Sequence, residues 1–157
     1  MRCLIVCLCV VLLGGSASAQ TAADPFVGTW IMDPLASHFA SGPMPEQMVI
    51  VMTPAPGGVH YRSETKYPDG QSSISEYTAN YEGALSMVSG SAGLSAPVSL
   101  KRIDPRTIEA SYIRGLTVVA TSRRIVSGDG RILKITTVSS AIDGRSYTNV
   151  AVFKRAD

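Results

Sequence analysis

The chain has 157 residues, with 14 lysines and arginines against 12 acidic residues and a formal charge of +2. Its basic residues form nothing longer than the pairs Lys101-Arg102 and Arg123-Arg124, which argues against nucleic acid and anionic membrane surfaces as partners, since both need a concentrated cationic face. The three cysteines, Cys3, Cys7 and Cys9, all lie at the extreme N-terminus.

That N-terminus reads as a secretory signal peptide over residues 1–19. Met1-Arg2 is a short basic start, Cys3 to Leu13 is an unbroken apolar run, and Ala17-Ser18-Ala19 is a small-residue cleavage site. The apolar run is about 11 residues, well under the roughly 20 that a helix needs to cross a bilayer, so no stable membrane anchor is expected after cleavage. Removing the first 19 of the 157 residues leaves 138, enough for one domain with its own core. The expected location is the periplasm or the exterior. The mature chain would carry no thiol, so thiol catalysis, disulfides and cysteine-based metal binding drop out, and apolar burial alone must stabilise the fold.

Residues 20–24 read as a disordered lead-in, and residues 25–157 as the folded domain. Pro34 to Phe39 suits a single helical turn opened by proline. Gln47 to Thr53 is apolar on both faces, which predicts an outer cover, with the 34–39 turn as the candidate. From there the chain is written in hairpins. Val59, Tyr61, Ser63, Thr65 and Tyr67 share one face, opposed by His60, Arg62, Glu64 and Lys66. The alternation recurs with Tyr77, Ala79 and Tyr81, with Ile108, Ala110 and Tyr112, and with Tyr147, Ala151 and Phe153. Compact turn signals separate these runs, among them Pro68-Asp69-Gly70, Gly128-Asp129-Gly130 and Asp143-Gly144. Ser86 to Pro97, rich in small residues, reads as a long loop with at most one weak strand. Strands with one wet and one dry face, and no sustained helical period, predict an all-β fold: a single antiparallel up-and-down barrel of about 8 to 10 strands with one short helical turn.

Phe26-Val27-Gly28-Thr29-Trp30, followed by Asp33 to Phe39, resembles the opening of the small exported lipocalin-like (calycin-type) proteins of bacteria. The resemblance continues through Val98 to Asp104, Thr121 to Ser127 and Tyr147 to Phe153. It implies an eight-stranded barrel in which Gly28 and Trp30 close one end and a late arginine, Arg155 or Arg124, packs on the tryptophan. The proteins it resembles mostly have no defined activity, so it implies a cup and not a substrate.

Arg102, Arg114 and Arg124 fall on the same face as apolar neighbours, Arg124 with Val118 and Ala120. If that face lines a cavity, their guanidinium groups suit a carboxylate or phosphate. The plainer reading puts Arg102 and Arg114 at strand ends and Arg124 on Trp30. Tyr61, Tyr67, Tyr77, Tyr81 and Tyr112 share inward assignments; tyrosine walls suit a partly apolar ligand and an ordinary core equally. The candidate ligand-binding set is therefore Tyr61, Tyr77, Tyr81, Arg102, Tyr112 and Arg124, with Gly28, Trp30 and Arg155 structural. His38 and His60 lack partners at metal-ligand spacing, and Met44, Met48 and Met52 read as core or lid filler. No nucleophile elbow, phosphate-cradling glycine loop or positioned acid/base pair is present, so no catalytic residue, metal or cofactor is expected. These features predict a non-catalytic exported protein that binds a small, partly apolar or anionic ligand. The alternative is a protein-interaction module, such as an inhibitor or accessory subunit of an exported enzyme.

Overall fold

The computed structural model describes residues 23–91, 96–141 and 144–156. The expected signal peptide, its cleavage point and Asp143 lie outside this range. Twelve strands are found among the described residues: β1 (Gly28–Met32), β2 (His38–Phe39), β3 (Gln47–Ala55), β4 (Gly58–Lys66), β5 (Ser72–Asn80), β6 (Glu82–Ser86), β7 (Ser89–Gly90), β8 (Val98–Asp104), β9 (Thr107–Arg114), β10 (Thr117–Val126), β11 (Ile132–Ser140) and β12 (Ser146–Arg155). They form one antiparallel sheet in the order β6, β8, β9, β10, β11, β12, β1, β3, β4, β5, β7, with β2 added to β12. The all-β, up-and-down expectation holds, with more strands than the 8 to 10 foreseen. The excess comes from two-residue strands, β2 and β7, and from the division of residues 72–86 into β5 and β6.

That division is what curls the sheet. Residues 72–86 pair with β4 before Tyr81 and with β8 after it. Tyr81 serves both sides of the bend: its N–H donates to Gly57 O (3.0 Å) and its carbonyl accepts from Arg102 N (3.1 Å). One bent stretch thus belongs to both edges of the sheet, which protects edges that would otherwise offer unpaired backbone groups.

The two-residue alternation is obeyed along β4, where Val59, Tyr61, Ser63 and Thr65 are buried. His60, Arg62 and Glu64 face outward, and His60 and Arg62 pair with Glu76 on β5. The Asp-Gly hairpin turns use one device twice. Gly70 and Gly130 have φ of +82° and +72°, and the preceding Asp69 and Asp129 carboxylates accept from the amides of Gln71 (2.9 Å) and Arg131 (3.0 Å).

Two expectations need correction. A 3₁₀ turn does form at Pro34–Ala36 behind Asp33, whose carboxylate accepts from Leu35 N. It docks on β12 and not on β3, because Asp33 N–H donates to Val152 O and Ser37 Oγ accepts from Val152 N, both on β12. Ser86 to Pro97, of which 92–95 lie outside the described residues, carries a weak strand as the sequence allowed: β7 pairs with β5 at Ser75 and Glu76, and Val88 beside it is buried. Asp24, assigned to the lead-in, is held by Arg102 and Tyr81 and so belongs to the folded domain, while residues 20–22 of that lead-in lie outside the described residues.

Candidate functional site

The interior divides into a filled end and a partly open end. Phe26, Trp30, Ile50, Met52, Leu100, Ile108, Leu133 and Phe153 are essentially inaccessible. At the filled end the Trp30 indole N–H donates to Phe26 O (2.9 Å). Arg155 lies 4.1 Å over the Trp30 ring. Its remaining donors reach three carbonyls, Gly130 (2.7 Å), Val27 (2.6 Å) and Pro25 (2.6 Å). Gly28 has φ +139°, and a Cβ there would collide with Arg155 Nη1, so the glycine, the tryptophan and the arginine act as one clasp. Arg155, not Arg124, stacks on Trp30.

Two members of the expected ligand set belong to this same end. Arg102 Nη2 pairs with Asp24 Oδ2 at 2.6 Å, its guanidinium lies 4.0 Å over the Tyr81 ring, and the Tyr81 hydroxyl donates to Asp24 Oδ2 (2.7 Å). Burial, and then Asp24, push the Tyr81 hydroxyl pKa upward. The group latches the N-terminal segment to the sheet bend. Arg114 is exposed at the end of β9. A bulge between Val118 and Ala120 turns Val118 to the outer face, half exposed, so it does not share the face of Arg124.

The other four, Tyr61, Tyr77, Tyr112 and Arg124, converge. Arg124 sits on the inward face of β10, with Ile108 of β9 and Ile135 of β11 beside it, and is 2% exposed. Nη1 donates to the Tyr77 hydroxyl (2.8 Å) and Nη2 to the Tyr112 hydroxyl (3.0 Å). The guanidinium carbon stands 5.1 Å from the centre of the Tyr61 ring. Tyr61 and Tyr77 face each other across β4 and β5, stacked at 4.7 Å with 13° between planes. Burial pushes the Tyr77 and Tyr61 hydroxyls upward against the opposing charge of Arg124. Burial disfavours the charge on Arg124, but the surrounding tyrosine oxygens more than offset this, and its pKa is raised. A cation surrounded by neutral phenols is the stable state. The Tyr77 and Tyr112 hydroxyls each accept from the arginine and keep their own proton to donate.

Among the described residues no carboxylate lies within ion-pair distance of Arg124, and its Nε, like Ser122 Oγ two residues earlier on the same face, has no hydrogen-bond partner. The phenols solvate this buried cation without neutralising it, so it keeps an unmatched positive charge in a low-dielectric interior. Beside the guanidinium is a cavity of about 170 Å³. Arg124, Tyr61 and Tyr112 form one part of its wall; Met48, Ile135, Thr137, Ala151 and Phe153 form much of the rest. Phe39 and Asn149 complete the lining. The Asn149 carboxamide fixes the segment carrying Phe39: its oxygen accepts from Ala40 N (2.8 Å) and Ser41 N (3.2 Å), and its nitrogen donates to Ser41 O (3.2 Å).

The pocket-lining Phe39, Met48, Thr137 and Asn149 were not among the expected site residues. Asn149 had a sequence signal, since it interrupts the inward row Tyr147, Ala151, Phe153, as Ser122 and Arg124 interrupt theirs on β10. Phe39 had none, because its place depends on β2 folding back on β12. Among the described residues no group of three or more histidine, cysteine or acidic side chains is arranged to hold a metal.

No protein-family model matches this chain, and no curated protein matches it in sequence. The curled antiparallel sheet is a calycin-type fold. A solved structure of similar shape is that of the zebrafish ileal bile acid-binding protein complexed with cholic acid, which superposes with a TM-score of 0.52 at 12% identity, covering 84% of this chain and 99% of that one. At that identity the likeness is one of fold.

Proposed function

We propose that this is an exported, non-catalytic binding protein that holds a small organic anion inside the open end of its barrel, with Arg124 as the counter-charge. The observation that carries the reading is the fully buried guanidinium, which faces a cavity and has no acidic partner among the described residues. An anion delivered to that cavity would convert an uncompensated charge into a desolvated ion pair, the setting in which electrostatic attraction is strongest. Tyr112, whose ring lines the cavity, would then donate its free hydroxyl proton to it or orient it, while Tyr77 holds Arg124 from behind. A fold neighbour crystallised with cholic acid supports an interior that receives a small acid. Export rests on the basic, apolar and small-residue layout of residues 1–19.

Calorimetric titration of the mature protein with small organic acids and their neutral amides tests the reading. Acids are expected to bind at least tenfold more tightly than the matched amides, from a charged hydrogen bond of about 1.5–3 kcal/mol. Equal binding of acid and amide, or unchanged acid binding by Arg124→Met, would refute it.

A further inference from the structure

Resting on that reading, we infer that the ligand class is a compact aromatic monocarboxylate of about ten non-hydrogen atoms or fewer, held at the guanidinium by its carboxylate and among aromatic side chains by its ring. The size limit follows from where the interior is full. Ile50, Leu100, Ile108 and Leu133 leave nothing accessible around them, and the space beside Arg124 amounts to about 170 Å³. A dry cavity of about 150 Å³ accommodates a benzene ring, whereas sites for drug-sized ligands run to about 300–1,000 Å³. A steroid acid or a long-chain fatty acid would leave most of its apolar surface in water.

The ring preference comes from the wall, where Phe39, Tyr61, Tyr112 and Phe153 all border the cavity. Edge and face contacts among such rings stabilise beyond area burial alone. The head-group preference comes from charge and shape. One buried cation neutralises one negative charge; a dianion such as a phosphate monoester would remain half uncompensated in a low-dielectric site. The unpartnered Nε lies in the same plane as the two Nη groups, and a planar carboxylate matches that edge. Selection would thus rest on two features, the filled lower interior and the buried guanidinium of Arg124, which has no acidic partner among the described residues.

The experiment is calorimetric titration of the mature protein at pH 7.5 with five probes: phenylacetate, phenylacetamide, phenyl phosphate, cholate and palmitate. Phenylacetate is expected to bind best, and at least tenfold more tightly than its amide. Arg124→Gln should cost phenylacetate at least tenfold. Tyr112→Phe, which removes only a hydroxyl and keeps the ring, should weaken it several-fold in a protein of unchanged circular dichroism, so that the test survives if the arginine variant misfolds. Cholate or palmitate binding more tightly than phenylacetate overturns the size limit and leaves the anion reading standing. Phenyl phosphate binding more tightly overturns the monocarboxylate assignment. Acid and amide binding alike, or no binding by any probe at millimolar concentration, overturns both.

Discussion

Replacing Arg155 with alanine removes three hydrogen bonds to the carbonyls of Pro25, Val27 and Gly130 and the cation held over Trp30. Hydrogen bonds to a charged group contribute about 1.5–3 kcal/mol each when buried. Here the arginine and all three carbonyl residues are only partly buried, so water replaces much of what is lost, and about 3 kcal/mol for the set is the physical expectation. The cation over a buried indole adds about 1–2 kcal/mol. A total loss of about 4 kcal/mol would lower the melting temperature by roughly 10 °C or more in a domain of this size. Gly28→Ala attacks the same clasp from the other side, by strain at φ +139° and by collision with Arg155 Nη1, at a cost of about 1–3 kcal/mol. Because both changes break one unit, the double variant should lose less than the sum of the singles, by about 1 kcal/mol or more. Urea unfolding of the four proteins measures this cycle. A loss below about 1 kcal/mol for Arg155→Ala, or strict additivity in the pair, would refute the clasp.

Asn149→Ala should release the Ala40 and Ser41 amides, seen as faster hydrogen exchange there and faster ligand dissociation, with global stability reduced by about 1–2 kcal/mol. The phenols of Tyr61 and Tyr77 have pKa values above that of an exposed tyrosine. A folded state that holds these protons more tightly than the unfolded chain loses stability as pH rises past about 10. Ultraviolet titration should therefore show these two ionising only together with alkaline unfolding; ionisation near pH 10 in a folded protein would contradict their burial. N-terminal sequencing of the protein recovered from the periplasm or medium should begin at Gln20, and recovery of the intact precursor from the cytoplasm would count against export.

Strand alternation made much of the barrel legible, because β4 keeps a strict two-residue rhythm that places Tyr61 inward, and the Ile108, Ala110, Tyr112 row of β9 does the same for Tyr112, whatever the strand partners are. The site was legible in part for the same reason: Arg124 shares its inward row with Ser122 and Val126. Two kinds of information were hidden. The bulge at Val118/Ala120 shifts the rhythm by one residue, so a face read across it comes out inverted. Tyr81 and Arg102 point inward by pattern, yet only the bend at residues 80–82 and the approach of Asp24 show that they face the filled end and not the cavity. Contacts spanning 78 to 130 residues, such as Arg102 to Asp24 and Arg155 to Pro25, have no local signature.

The clasp also bears on when this molecule can become whole. Its two halves lie far apart in the sequence, since β1 finds β12 only once residues near position 155 exist. A growing chain can zip β3, β4 and β5 into hairpins as they emerge, but β1 must wait, with one flank bare, for β12 to be synthesised. Such dependence on distant pairings slows maturation. Under the proposed export, a chain would cross a translocation channel before folding, and late completion would then be an advantage, because the ring cannot lock until β12 is present.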